Sequence, residues 1–194
     1  MILRNVYFYT MWQIREQNFE NWVLLLVFFQ FVLISQLYRM YRIEASYFIR
    51  LFDFNSYLRL FGKDRNLSIW RPFQMGITLF LVLTFSLLIT LIWSHYSGRS
   101  LRLYFFFQCL GVVTALILIR YLLLWSLAWV FNLNMLFRQL VFKGVSSYGY
   151  LALIVYGLCV LYYFSPWQNS SSLLWLGLAV LGGGNLLIQG VQYI

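Results

Sequence analysis

Apolar residues along this chain come in long, nearly unbroken runs rather than alternating with polar ones, and five such runs organise it. The first, residues 22–38, is interrupted only by Gln30, Ser35 and Gln36. As a helix it reaches about 25 Å, at the lower limit for crossing a bilayer. The second, residues 72–93, opens on Pro72, which suits the first turn of a helix, and contains the uncharged stretch ITLFLVLTFSLLITLIW. The fourth occupies residues 148–164, and the fifth runs from Ser172 towards the end of the chain.

The third run, residues 103–131, is too long for a simple perpendicular crossing and carries one charge, Arg120, within ALILIRYLLLW. Either the helix crosses steeply tilted with a buried arginine, or it crosses over residues 103–119. In the second case Arg120 snorkels to the interface and the chain continues along the membrane. The second arrangement is preferred, because no run contains a carboxylate to pair with Arg120.

Backbone hydrogen bonding dictates the secondary structure of such runs. In hydrocarbon a segment must satisfy its own N–H and C=O groups as a helix or join a closed barrel, and the alternating pattern of barrel strands is missing. The expected fold is all-α. It is a polytopic membrane bundle of about five transmembrane helices, with residues 1–194 forming a single integral membrane domain. The amino-terminal MILRNVYFYTMWQIREQNFE has no continuous apolar core of a signal peptide, so the first run is expected to be retained.

Composition agrees with lipid as the main solvent: 62% of residues are hydrophobic and only 10% charged. The 22% aromatic content fits Tyr and Trp anchoring at the two interfaces. The excess of 14 Lys and Arg over 5 Asp and Glu would suggest nucleic acid in a soluble chain. Cations placed between apolar spans instead point to anionic headgroups, so membrane lipids are the expected partners and nucleic acid is not.

Sidedness follows from where those cations fall. Seven lie in the first connection (Arg39, Arg42, Arg50, Arg59, Lys63, Arg65, Arg71) and three in the third (Arg120, Arg138, Lys143). The amino-terminal segment and the second connection hold two each (Arg4, Arg15; Arg99, Arg102). The first and third connections are therefore expected in the cytoplasm. Within the first, Tyr47, Leu51, Phe54, Leu58 and Phe61 recur at helical spacing before Gly62. They predict an amphipathic cytoplasmic helix whose Arg50, Arg59 and Lys63 could grip headgroups or a partner, although a connector resting on the bilayer is the favoured reading.

Chemistry is sparse. The carboxylates Glu16, Glu20, Glu44, Asp53 and Asp64 all precede the second run and none lies in a span, which argues against a proton relay through this chain. A single histidine, His95, is too little for a bis-histidine haem or a typical zinc site, so no cofactor or metal is expected. Ser94, Ser97 and Ser100 near His95, and the Gly144, Val145, Ser146 triplet, raise a membrane hydrolase without supplying an elbow or a Ser–His pairing. No catalytic residue is assigned. Cys109 and Cys159 sit in apolar runs and read as small buried hydrophobes.

In the last run Gly182, Gly183 and Gly184 follow Ala179, with Asn185, Gln189 and Gln192 beyond. Small residues let helices approach closely and amides can bond across the contact, so this face serves either internal packing or another subunit. Three consecutive glycines also make a kink conceivable.

From Leu103 onwards, the apolar helix ending in Arg120, Tyr121, Leu122 and Leu123 leads into the aromatic stretch to Phe131. With the late Leu187, Ile188, Gln189, Gly190 and Val191, it resembles an uncharacterised family of Bacteroidota inner-membrane proteins known only as a domain of unknown function. The resemblance covers about half the chain and implies a bacterial cytoplasmic membrane without implying an activity. In that family a further apolar helix usually follows, whereas this sequence stops at Ile194. The leading functional expectation is a non-enzymatic subunit or scaffold of a bacterial envelope complex, with other membrane subunits as partners and Arg120, Gly182, Gly183, Asn185 and Gln189 among its contacts. The alternatives are a transporter of small solutes or lipids using Arg120 and, behind it, an intramembrane hydrolase.

Overall fold

A computed structural model describes residues 20–42, 45–46, 71–98, 100–132, 134–164 and 172–192, excepting the side chains of residues 134–140, 142, 143 and 185–192. The described residues form an all-α bundle of five helices: α1 (Asn21–Met40), α2 (Pro72–Ser97), α3 (Leu103–Val130), α4 (Asn134–Phe164) and α5 (Ser172–Gln192). Among the described residues, four segments are long and apolar enough to cross a bilayer, namely Asn21–Met40, Pro72–Ser97, Leu103–Val130 and Gly144–Phe164. The chain is a membrane protein. The expected amphipathic helix over residues 44–61, with Arg50, Arg59 and Lys63, lies almost wholly outside the described residues.

The helix ends follow local chemistry. Pro72 fills the first position of α2, and Gly98 closes it in the left-handed region at φ 62°, where a side chain would be strained. Between α3 and α4 the turn passes through Asn132 at φ 52°, a conformation asparagine tolerates better than most residues.

Helix α2 is the axis of the bundle and touches all four others. More than half of its most apolar stretch is buried, against fewer than one position in ten for α3. Polar residues survive inside α2 because they bond to their own helix. Thr84 donates to the Phe80 carbonyl at 2.8 Å, and Ser86 and Thr90 donate to Val82 and Ser86 carbonyls at 2.7 Å each.

Packing runs through three linked clusters. At the His95 end, Leu87, Leu88, Leu91, Phe106, Cys159, Tyr162 and Leu174 pack together. In the middle, Phe80, Leu81, Val113 and Ala152 meet. At the Arg71 end, Phe73 and Ile77 contact Val141 and Val145, with Tyr41 and Tyr121 against them. Tyrosines tie the helices: Tyr156 Oη donates to the Val27 carbonyl at 2.9 Å and Tyr163 Oη to the Glu20 carbonyl at 3.4 Å. Cys109 and Cys159 are buried and free, matching the sequence reading.

Two boundaries differ from the sequence reading. Helix α4 starts at Asn134, ahead of the apolar run, because the more polar stretch before it is also helical, while its spanning part, Gly144–Phe164, is close to the expected 148–164. Helix α3 continues without a break through Arg120 to Val130, so no turn follows the arginine. The glycine triplet does not interrupt α5.

Candidate functional site

Arg120 takes its place from its neighbours. Tyr121 packs in the same cluster as Phe73, Ile77 and Tyr41, which puts Arg120 level with the first turns of α2 and the end of α1. Arg39, Arg42 and Arg71 belong to that same end. The Arg120 side chain is exposed and its guanidinium carbon lies 4.9 Å from the centroid of the Tyr148 ring, within range of a cation–π contact. From Leu103 to Arg120 the helix rises about 26 Å, close to the hydrocarbon thickness of a bilayer.

Beyond Arg120, α3 extends for roughly another 15 Å. Leu122, Leu123, Trp125, Leu127, Trp129 and Val130 on this extension are all more than half exposed, Trp129 reaching 73%. Only Ala128 there is buried.

The glycines divide by role. A side chain at Gly177 would meet Leu88 at 3.2 Å and one at Gly184 would run into Leu151, so these two positions serve close internal packing. Gly182 and Gly183 are exposed, and a Cβ on either meets nothing within 4 Å. The α5 backbone remains helical through Asn185 and Gln189, whose side chains lie outside the described residues.

His95 and Ser146 belong to opposite ends. His95 Nδ1 shares a 3.0 Å hydrogen bond with Tyr162 Oη, and Ser146 lies sixteen positions before Tyr162 on the same helix, about 24 Å of rise away. The two cannot form a dyad in this arrangement. Ser146 is instead buried with no hydrogen-bond partner among the described residues. It sits next to Val145, which packs with Phe73 and Ile77.

Three buried polar side chains were not singled out as a set by sequence reasoning. Gln30 on α1, Gln74 on α2 and Ser146 on α4 are each at most 4% exposed, and none of their side-chain polar atoms has a hydrogen-bond partner among the described residues. An unsatisfied buried amide costs about 1–3 kcal/mol, so these positions are departures from optimal packing. The clue in the sequence was Gln30 itself, an amide in an otherwise apolar run, but sequence alone does not tell which face of a lone helix turns inward. Among the described residues no group of three or more His, Cys, Asp or Glu side chains could hold a metal ion.

Comparison with curated proteins and with solved structures gives no match. A family model does match, over residues 23–194, a wider reach than the carboxyl-terminal half on which the sequence resemblance rested. With nearly the whole bundle from α1 to α5 inside the match, the chain belongs to the family described as Domain of unknown function (DUF4271).

Proposed function

We propose that the chain is a non-enzymatic subunit of a membrane-protein assembly in the bacterial cytoplasmic membrane, with its Arg71 end facing the cytoplasm. The observation that supports this most is the α3 extension. Past the level of Arg39, Arg71 and Arg120, where the positive-inside rule sets the cytoplasmic boundary, a run of Leu and Trp side chains remains exposed. Lipid tails account for exposed apolar residues between Leu103 and Arg120, but not for a contiguous patch beyond the boundary cations, which is the usual mark of a contact surface. Gly182 and Gly183, open on α5, offer a second face on which another helix could approach closely.

The sidedness supplies the mechanism. Cations hold one end of the bundle at anionic headgroups, α2 and its neighbours form a fixed core, and the peripheral α3 and α5 present surface to partners. Photo-crosslinking in intact cells tests this, with a photoreactive residue at Trp125 or Trp129 compared with one at Leu116, which is exposed in the middle of α3. Defined protein adducts of one mass at Trp125 and Trp129 are expected, with lipid adducts at Leu116. Lipid adducts alone at all three positions would refute the assignment.

A further inference from the structure

We propose that a groove between α2 and α3 at the His95 end binds the headgroup of an anionic phospholipid. The groove has a volume of about 340 Å³ and is lined by Trp93, Ser94, Ser100, Arg102, Phe105 and Gln108, among others. Trp93 and Phe105 stack as one wall, with ring centroids 5.4 Å apart and planes inclined by 27°. The base of the groove is held in place by α1, since Trp22 Nε1 donates to the Leu101 carbonyl at 3.3 Å.

Its chemistry is that of the headgroup layer. Arg102 is exposed, and its guanidinium can engage a phosphate through two parallel N–H donors. The first turn of α3 starts at this point without a side-chain cap, and the macrodipole of a 28-residue helix adds positive potential there. Ser100 and Gln108 add neutral donors, and the aromatic wall suits the glycerol and upper acyl region.

Position selects the occupant. The groove lies where α2 ends and α3 begins, about 26 Å along α3 from Arg120, so it sits at the opposite boundary of the apolar slab. The anion concentrated at that depth is a lipid phosphodiester. Cation and aromatic wall together favour a lipid with net negative charge over a zwitterionic one, whose own ammonium would compete for the phosphate.

Native mass spectrometry of the delipidated full chain tests the site, using dioleoylphosphatidylglycerol, dioleoylphosphatidylcholine and glycerol 1-phosphate as separate probes. One retained phosphatidylglycerol is expected, bound about tenfold more weakly by Arg102→Gln, because a hydrogen bond to a charged group of this kind is lost. Gln108→Trp fills the groove without altering charge and should weaken binding similarly. Arg71→Gln, at the other end of the bundle, should leave this lipid in place, with helicity checked for each variant by circular dichroism. Phosphatidylglycerol retention unchanged in both Arg102→Gln and Gln108→Trp would overturn the proposal. Equal retention of phosphatidylcholine would overturn the anionic preference, and tight binding of glycerol 1-phosphate would assign the site to a soluble phosphate instead of a lipid.

Discussion

Replacing Arg120 distinguishes an arginine anchored at the boundary from one locked into a buried polar site. Its side chain is exposed and stands 4.9 Å from the Tyr148 ring centroid, a geometry that contributes about 0.5–1 kcal/mol when solvent is near. An unpaired arginine at the bilayer centre would instead cost about 2.5–3.5 kcal/mol even on the permissive insertion scale. The rise of about 26 Å from Leu103 to Arg120 favours the boundary. Arg120→Lys should therefore lie close to the parent protein, since both side chains snorkel and both attract anionic lipid and an aromatic face. Arg120→Leu should lose roughly 0.5–1 kcal/mol, and this loss should largely vanish when Tyr148 is already leucine. Equilibrium unfolding in mixed micelles of the parent, both single variants and the double variant measures that coupling. No coupling to Tyr148 would exclude the cation–π contact, and a lysine variant as defective as the leucine variant would exclude the boundary placement and mark Arg120 as part of a fixed bidentate site.

Three further outcomes are expected. Gly182→Leu and Gly183→Leu should leave stability within about 0.5 kcal/mol, since nothing stands in their way, whereas Gly184→Leu should cost about 1–3 kcal/mol by driving α5 off Leu151; thermal unfolding of the purified chain compares them. Gln30→Leu should stabilise the isolated chain by about 1–3 kcal/mol, because it removes two buried polar atoms without partners among the described residues; a destabilised variant in the same unfolding assay would show that the amide is satisfied after all. With Cys109 and Cys159 replaced by alanine, an impermeant thiol reagent applied to intact cells should label Ser100→Cys and spare Asn132→Cys, and the opposite pattern would invert the orientation.

Much of the architecture could be read from the chain because lipid leaves few options. The uncharged stretch after Pro72 could be little other than a spanning helix, and α2 ends within a turn of where the apolar run does. Hydropathy was a poorer guide where helix and apolarity part company. The start of α4 at Asn134 was hidden because polar residues there form helix without being apolar, and the uninterrupted passage of α3 through Arg120 was hidden because one charge resembles a boundary. The candidate site was less legible still. Gly182 and Gly184 look alike in sequence, yet one faces open space and the other lies against Leu151, a difference set by helix rotation. Arg102 looked like an ordinary loop cation until the packing of α2 on α3 placed it beside Trp93 and Phe105.

Whether this bundle joins a larger membrane assembly can be measured from the mass of the native particle. Polymer nanodiscs can extract the chain from its own membrane without detergent, and light scattering can separate protein mass from lipid mass. The expected particle is well above the 23.2 kDa of one chain and contains a second protein at fixed stoichiometry that is lost when Trp125 and Trp129 are replaced by serine. A particle holding a single 23.2 kDa chain and lipid alone would contradict membership of an assembly.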